Sequence, residues 1–122
     1  MVVGSYRDLD VWKKAMDLAE TVFGLTSKLP REQVYGLTAQ MQRSVTSVPS
    51  NVAEGHARDS TREYLYHLSV SQGSMAELET QLMLCERLGF LSHAEVRAAL
   101  ADADEIGKML RGIQRSLREK LN

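Results

Sequence analysis

Cysteine occurs once in the chain, at Cys85, so no disulfide can form within it. That fits a reducing compartment, and the cytoplasm is the expected location. Proline occurs twice, at Pro30 and Pro49, and aromatic residues are few: one Trp, four Tyr and two Phe. This composition argues against a β-sandwich and for helices. No apolar run approaches the ~20 residues that cross a bilayer. The opening Met-Val-Val-Gly-Ser-Tyr-Arg-Asp lacks the apolar core of a signal peptide, so no membrane association is expected. Charge of neither sign predominates: 15 Lys and Arg stand against 16 Asp and Glu, for a net of −1. A dedicated nucleic-acid module carries a basic excess, which is missing. Glycine-rich phosphate loops and nucleophile-elbow patterns are missing too.

Histidine is also scarce, with His56, His67 and His93 only. A di-iron bundle needs Glu-x-x-His on two helices, and no Glu here has a His three residues later. Glu63 and His67, four apart, could share one ligand, but a second pair is lacking. Otherwise they make a surface ion pair or a partly buried imidazole. No metal, cofactor or small-molecule substrate is expected.

What the chain has is helical periodicity. At 122 residues it is one domain's worth, large enough to bury a core without disulfide or metal. A first helix is predicted over residues 8–28. Leu9, Trp12, Met16, Ala19 and Phe23 form one seam, and Val11, Ala15, Leu18, Val22 and Leu25 a second beside it. Together they span an apolar arc of roughly 200°, twice the ~100° of an ordinary core-facing stripe. This helix wants more partners than a simple bundle gives.

A second helix is predicted over residues 31–57, opened by Pro30, whose missing N–H costs nothing at a helix start. Val34, Leu37, Met41, Val45, Val48 and Val52 carry its stripe. Pro49 lies inside and removes one ladder bond to Val45. A kinked continuous helix, with Ser44, Thr46, Ser47 and Ser50 partly satisfying the freed carbonyl, is the expectation, and a break there is the alternative. The third helix, 60–88, opens with the capping box Ser60-Thr-Arg-Glu63. Tyr64, Leu68, Ser71, Met75, Leu78, Leu82 and Cys85 repeat at four-three spacing, while Tyr66, Val70, Met83 and Leu84 fall on other faces. Gly73 costs about 1 kcal/mol of helix propensity, a cost expected where another backbone approaches. Gly89 ends the helix. The fourth, 92–119, opens with the box Ser92-His-Ala-Glu95 and carries Val96, Ala99, Ala103, Ile106, Leu110, Ile113 and Leu117. Short connectors between such helices give an antiparallel up-down-up-down four-helix bundle.

Two constellations could carry function. Glu54 and Glu77 could act as paired carboxylates, or serve as polar groups between helices or at a subunit contact. The fourth helix is electrically lopsided: Asp102, Asp104 and Glu105 precede a final stretch containing Lys108, Arg111, Arg115, Arg118 and Lys120. Cations there complement the helix dipole. They also form a stripe suited to phosphates, with salt-dependent, sequence-blind affinity for RNA or DNA. Cys85 falls on the apolar stripe, where a packed thiol is expected and a nucleophile is not.

Four stretches then stand out: Tyr6-Arg-Asp-Leu-Asp-Val-Trp-Lys-Lys-Ala15, Leu29-Pro-Arg-Glu-Gln-Val-Tyr-Gly-Leu37, Gln40-Met-Gln-Arg-Ser-Val-Thr-Ser-Val-Pro-Ser-Asn-Val-Ala-Glu-Gly55 and Ser71-Gln-Gly-Ser-Met-Ala-Glu-Leu78. Over roughly residues 6–92 the chain resembles the bacterial proteins encoded in 23S ribosomal RNA intervening sequences. The resemblance implies a four-helix bundle assembled as a cyclic homo-oligomer, a homopentamer, with no established enzyme activity. By likeness of fold it extends to a basic pentameric barrel that binds nucleic acid and a reverse transcriptase. Fold alone transfers function poorly, and this chain is slightly acidic. The expectation is a non-enzymatic oligomeric scaffold whose partners are its own copies and RNA, DNA or a nucleoprotein. A protein-interaction module without nucleic acid is the alternative. Gln40, Arg43, Asn51, Glu54 and Glu77 are the candidates for fixing helix pairs or subunit contacts.

Overall fold

In the computed structural model, which describes residues 4–121, four α-helices enclose one apolar core, and no strand occurs among those residues. They are α1 (Asp10–Thr26), α2 (Leu37–Ala57), α3 (Thr61–Arg87) and α4 (His93–Leu121), with short 3-10 turns at Tyr6–Asp8 and Arg31–Gln33. α1 packs against α2 and α4, and α3 packs against the same two, while α1 and α3 do not approach each other. They therefore occupy diagonally opposite corners.

The core is drawn from the predicted stripes. Val11, Ala15, Leu18 and Val22 of α1 are buried, as are Met41, Val45, Val48 and Val52 of α2. On α3 the four-three repeat is followed closely: Leu68, Ser71, Met75, Leu78, Leu82 and Cys85 are all buried, and Tyr64 packs against them half-buried. α4 contributes Val96, Ala99, Ala103, Ile106, Leu110 and Leu117. Of the two seams on α1, the Val11–Leu25 seam faces this core. Met16 and Phe23 of the other face outward.

Helix ends follow local chemistry. The Ser60 hydroxyl accepts from Glu63 N at 3.3 Å. At α4 the box is reciprocal: Ser92 Oγ accepts from Glu95 N, and Glu95 accepts from Ser92 N. Lys28 also bonds Glu95, tying the end of α1 to the start of α4. Gly89 adopts φ +76°, and Phe90 N and Gly89 N donate to the carbonyls of Cys85 and Glu86. That is the Schellman stop, open to glycine because it carries no Cβ.

The second helix departs from expectation. It begins at Leu37, six residues later than predicted, because residues 31–33 form a 3-10 turn closed at Val34 and the helix starts only after Gly36 (φ −111°, ψ −116°), its N-cap. Gln33 Oε1 accepts from Leu37 N and starts α2. Val34, predicted in the core stripe, lies in the turn and is exposed, beside Tyr35 at 94% exposure. Pro49 is buried within an α2 that runs unbroken to Ala57. The nearby hydroxyls do not serve the carbonyl of Val45. Ser44 donates to Met41 O, Thr46 to Gln42 O and Arg43 O, and Ser71 of α3 reaches Val48 O at 2.9 Å.

Candidate interaction surfaces

The α2–α3 contact is the most extensive in the molecule, and small residues make it so. At Gly55 a Cβ would stand 2.8 Å from His67 Cβ and 2.9 Å from Tyr64 Cδ1. Gly55 is thus where one helix needs a glycine to meet another. Gly73, the predicted site of close approach, has nothing within 4 Å of a Cβ position inside the chain.

A polar seam runs along this contact. Ser44 bonds Gln81 at 2.7 Å, and Ser74 bonds Ser47 at 2.8 Å. The Asn51 amide donates to the Ser47 carbonyl (2.9 Å) and hydroxyl (3.0 Å), which turns its oxygen toward His67. His67 Nδ1 lies 3.0 Å from that oxygen and 3.3 Å from Glu54 Oε2. With an acceptor on both sides, Nδ1 carries the proton. Glu54 also pairs with Arg58 at 3.7 Å. Asn51 and Glu54 thus join α2 to α3 through His67, and His67 makes no ion pair with Glu63. The pairs Ser44–Gln81, Ser47–Ser74 and Asn51–His67 descend along α3 as they ascend α2. In that register Glu77 sits about nine residues, roughly 13 Å, from the level of Glu54. The two carboxylates do not form a pair. Gln40, Arg43 and Glu77 instead line an open groove of about 290 Å³ with Ser44, Ser47, Ser74 and Gln81.

A second seam was not legible in the sequence. Gln114 of α4, 5% exposed, bonds Gln72 of α3 and Ser69, and Gln72 also donates to the Gly107 carbonyl. Near it, burial and then Asp104 raise the Glu79 carboxyl above its ordinary range, while Arg111 opposes the rise.

The basic stripe of α4 divides. Lys108 pairs with Asp104 at 3.3 Å, and Arg111 folds back over Gly107. Arg115, Arg118 and Lys120 are exposed and make no ion pair among the described residues. Between α1 and α4, Lys14 bonds Glu105 at 3.0 Å beside Asp17 and Asp102. No group of three or more His, Cys, Asp or Glu among the described residues could hold a metal ion, and no helix is long and apolar enough to cross a membrane.

The apolar surface is concentrated. Phe23, Val34, Tyr35, Met83, Leu84 and Leu88 are all exposed, and all belong to the end of the molecule where α1 and α3 finish and α2 begins. Met16 at 40% and Phe23 at 44% exposure continue the line of half-buried Leu9 and Trp12 on α1. On the outer face of α3, Ser69, Gly73, Ala76, Thr80, Met83 and Leu84 are exposed in succession, with Glu77 exposed beside them.

Four helices around a single core, joined by polar interhelical seams, define a small all-α protein. The chain belongs to the 23S rRNA-intervening sequence protein family, whose profile matches residues 7–112. The match extends into α4, about twenty residues past the resemblance visible in the sequence. A crystal structure of a protein of unknown function from the S23 ribosomal protein family of Bacteroides thetaiotaomicron is similar, with a TM-score of 0.79 and 26% identity. The likeness covers 85% of this chain and 97% of that one. No curated protein matches.

Proposed function

We propose that the protein is a non-enzymatic scaffold, an up-down-up-down bundle whose copies associate through their apolar faces into a ring. The observation carrying this reading is that Met16 and Phe23 on α1, and Tyr66, Met83 and Leu84 on α3 with Leu88 just after it, are exposed on corners that no other helix of the chain covers. Burying large apolar side chains releases roughly 25 cal/mol per Å², and exposed apolar side chains gathered on one corner favour contact with another surface. The family resemblance supplies the ring size, five. The lone thiol of Cys85, packed in the core, suits a reducing compartment such as the cytoplasm. An assembly's unfolding temperature rises with protein concentration. The wild-type chain is expected to show that rise and Met16→Asp/Phe23→Asp to lose it. A wild-type Tm independent of concentration would contradict the reading.

A second reading, contact with RNA, DNA or a nucleoprotein, is favoured by Arg115, Arg118 and Lys120, which are exposed and without ion pairs among the described residues. Three phosphate contacts per chain give a salt slope of about −2 to −3. Changing the three to Glu should abolish binding; equal binding by both proteins removes this reading and leaves a scaffold for proteins.

A further inference from the structure

Two surfaces stand apart in the fold, one on α1 and the other running along α3, and these two helices do not meet within the chain. One is the α1 stripe, where exposed Met16 and Phe23 follow half-buried Trp12 at four- and seven-residue intervals, the anchor spacing of a helix that lies in a groove. The other is a groove of about 380 Å³ between the start of α2 and the second half of α3, lined by Leu37, Ala76, Thr80 and Leu84 together with Gln40, Glu77 and Gln81. It continues past Thr80 and Leu84 to Met83 and Arg87. Large side chains thus occupy one corner, and a trough with Ala76 and Thr80 along its floor runs beside the opposite one.

Charges border both. Lys13 and Glu20 lie one turn either side of Met16, and Glu77 and Arg87 lie along the trough. None of the four has an ion-pair partner among the described residues. Lys13 and Glu20 are seven residues apart, about 10 Å, and Glu77 and Arg87 ten apart, about 15 Å. The difference is within an arginine side chain's reach. Laid parallel to α3, the α1 stripe brings Lys13 to Glu77 and Glu20 to Arg87. Reversed, it sets Lys13 against Arg87 and Glu20 against Glu77, like charges at both places.

We infer that α1 of one copy lies in the α2/α3 groove of the next, parallel to α3. This rests on the self-association proposed above and adds which faces meet. Because the two faces differ, the contact is heterologous: it propagates around a ring and cannot make a two-fold dimer.

Complementation tests it. Met16→Asp/Phe23→Asp removes the knobs and leaves the groove; Ala76→Asp/Leu84→Asp spoils the groove and leaves the knobs. All four residues are exposed, so both variants should melt as cooperatively as wild type. Each alone should self-associate at least tenfold more weakly, since losing one anchor residue has roughly that effect. Mixed in equal amounts they retain one good interface between them. A heterodimer of about 27 kDa, twice the 13.7 kDa chain, is the expected species. A mixture that stays monomeric while wild type assembles would overturn the face assignment and spare the self-association; a monomeric wild type would overturn both. For the direction of packing, Glu20→Arg and Arg87→Glu should each weaken assembly and their combination restore it. A combination no better than either alone would refute the parallel setting.

Discussion

Two glycines on neighbouring helices should respond to the same substitution with opposite signs. Replacing Gly55 by Ala gains about 0.5–1 kcal/mol of helix propensity. It also places a Cβ 2.8 Å from His67 Cβ, 2.9 Å from Tyr64 Cδ1 and 3.3 Å from the Tyr64 carbonyl. The first and third of these belong to the α3 backbone or are fixed to it, so they yield only if the helices part. Overpacking of this kind costs about 1–3 kcal/mol, and two neighbours fixed to the α3 backbone put it near the upper end. Parting the helices also stretches the His67 bonds to Asn51 and Glu54. The net expectation is a loss of about 2 kcal/mol, or roughly 8 °C in Tm for a chain of this size. Gly73→Ala meets nothing within 4 Å inside the chain, so the propensity gain stands alone, up to about 1 kcal/mol. Paired thermal or urea melts, at one protein concentration low enough to hold the chain monomeric, make the comparison. A Gly55→Ala protein as stable as wild type would refute the close approach of α2 to α3.

Acid titration checks the α1–α4 tie. The Lys28 ammonium, with the Ser92 N–H, holds the Glu95 carboxyl at about 2 against an ordinary 4.5. A carboxyl lowered on folding contributes stability above its unfolded value and loses it as pH falls through the folded one. Glu95→Gln should therefore be less stable than wild type at pH 7, with the gap closing between pH 4.5 and 2; a gap unchanged at pH 2 would count against the contact. Glu79 has the opposite sign, because burial and Asp104 raise its carboxyl. Glu79→Gln should melt higher than wild type at neutral pH, the advantage shrinking as acid protonates Glu79 itself. Leu78→Ala, at a side chain with no exposure, should cost about 2–5 kcal/mol, read as a drop in urea midpoint at constant m.

The parts of this structure legible in the sequence are those governed by period. On α3 the four-three repeat from Leu68 to Cys85 names its buried face almost residue for residue, because a long helix with one core has a single register. The start of α2 was misread for the same reason: Val34 continues the apolar spacing toward Leu37, yet Gly36 and the Gln33 side chain hold a turn there. Local turn geometry outranks a periodic match of one residue. On α1 the excess width of the apolar arc was visible, but which seam faced inward depended on where α2 and α4 lie. Polar burial was the least legible. Gln114 falls in a stretch of charged residues and reads as surface until Gln72 and Ser69 are placed opposite it. Gly55 and Gly73 look alike in sequence, and only the neighbouring helix tells a necessary glycine from an unconstrained one. The basic run on α4 was visible too, but its division depends on Asp104 lying one turn from Lys108 and on Arg111 folding back over Gly107.

Sedimentation equilibrium of the wild-type chain at tens of micromolar, in moderate salt, tests self-association most directly. The account predicts a mass several times 13.7 kDa, reduced by Met16→Asp/Phe23→Asp. A single species of 13.7 kDa across that range would contradict it, leaving Met16, Phe23, Leu84 and Leu88 as ordinary exposed side chains.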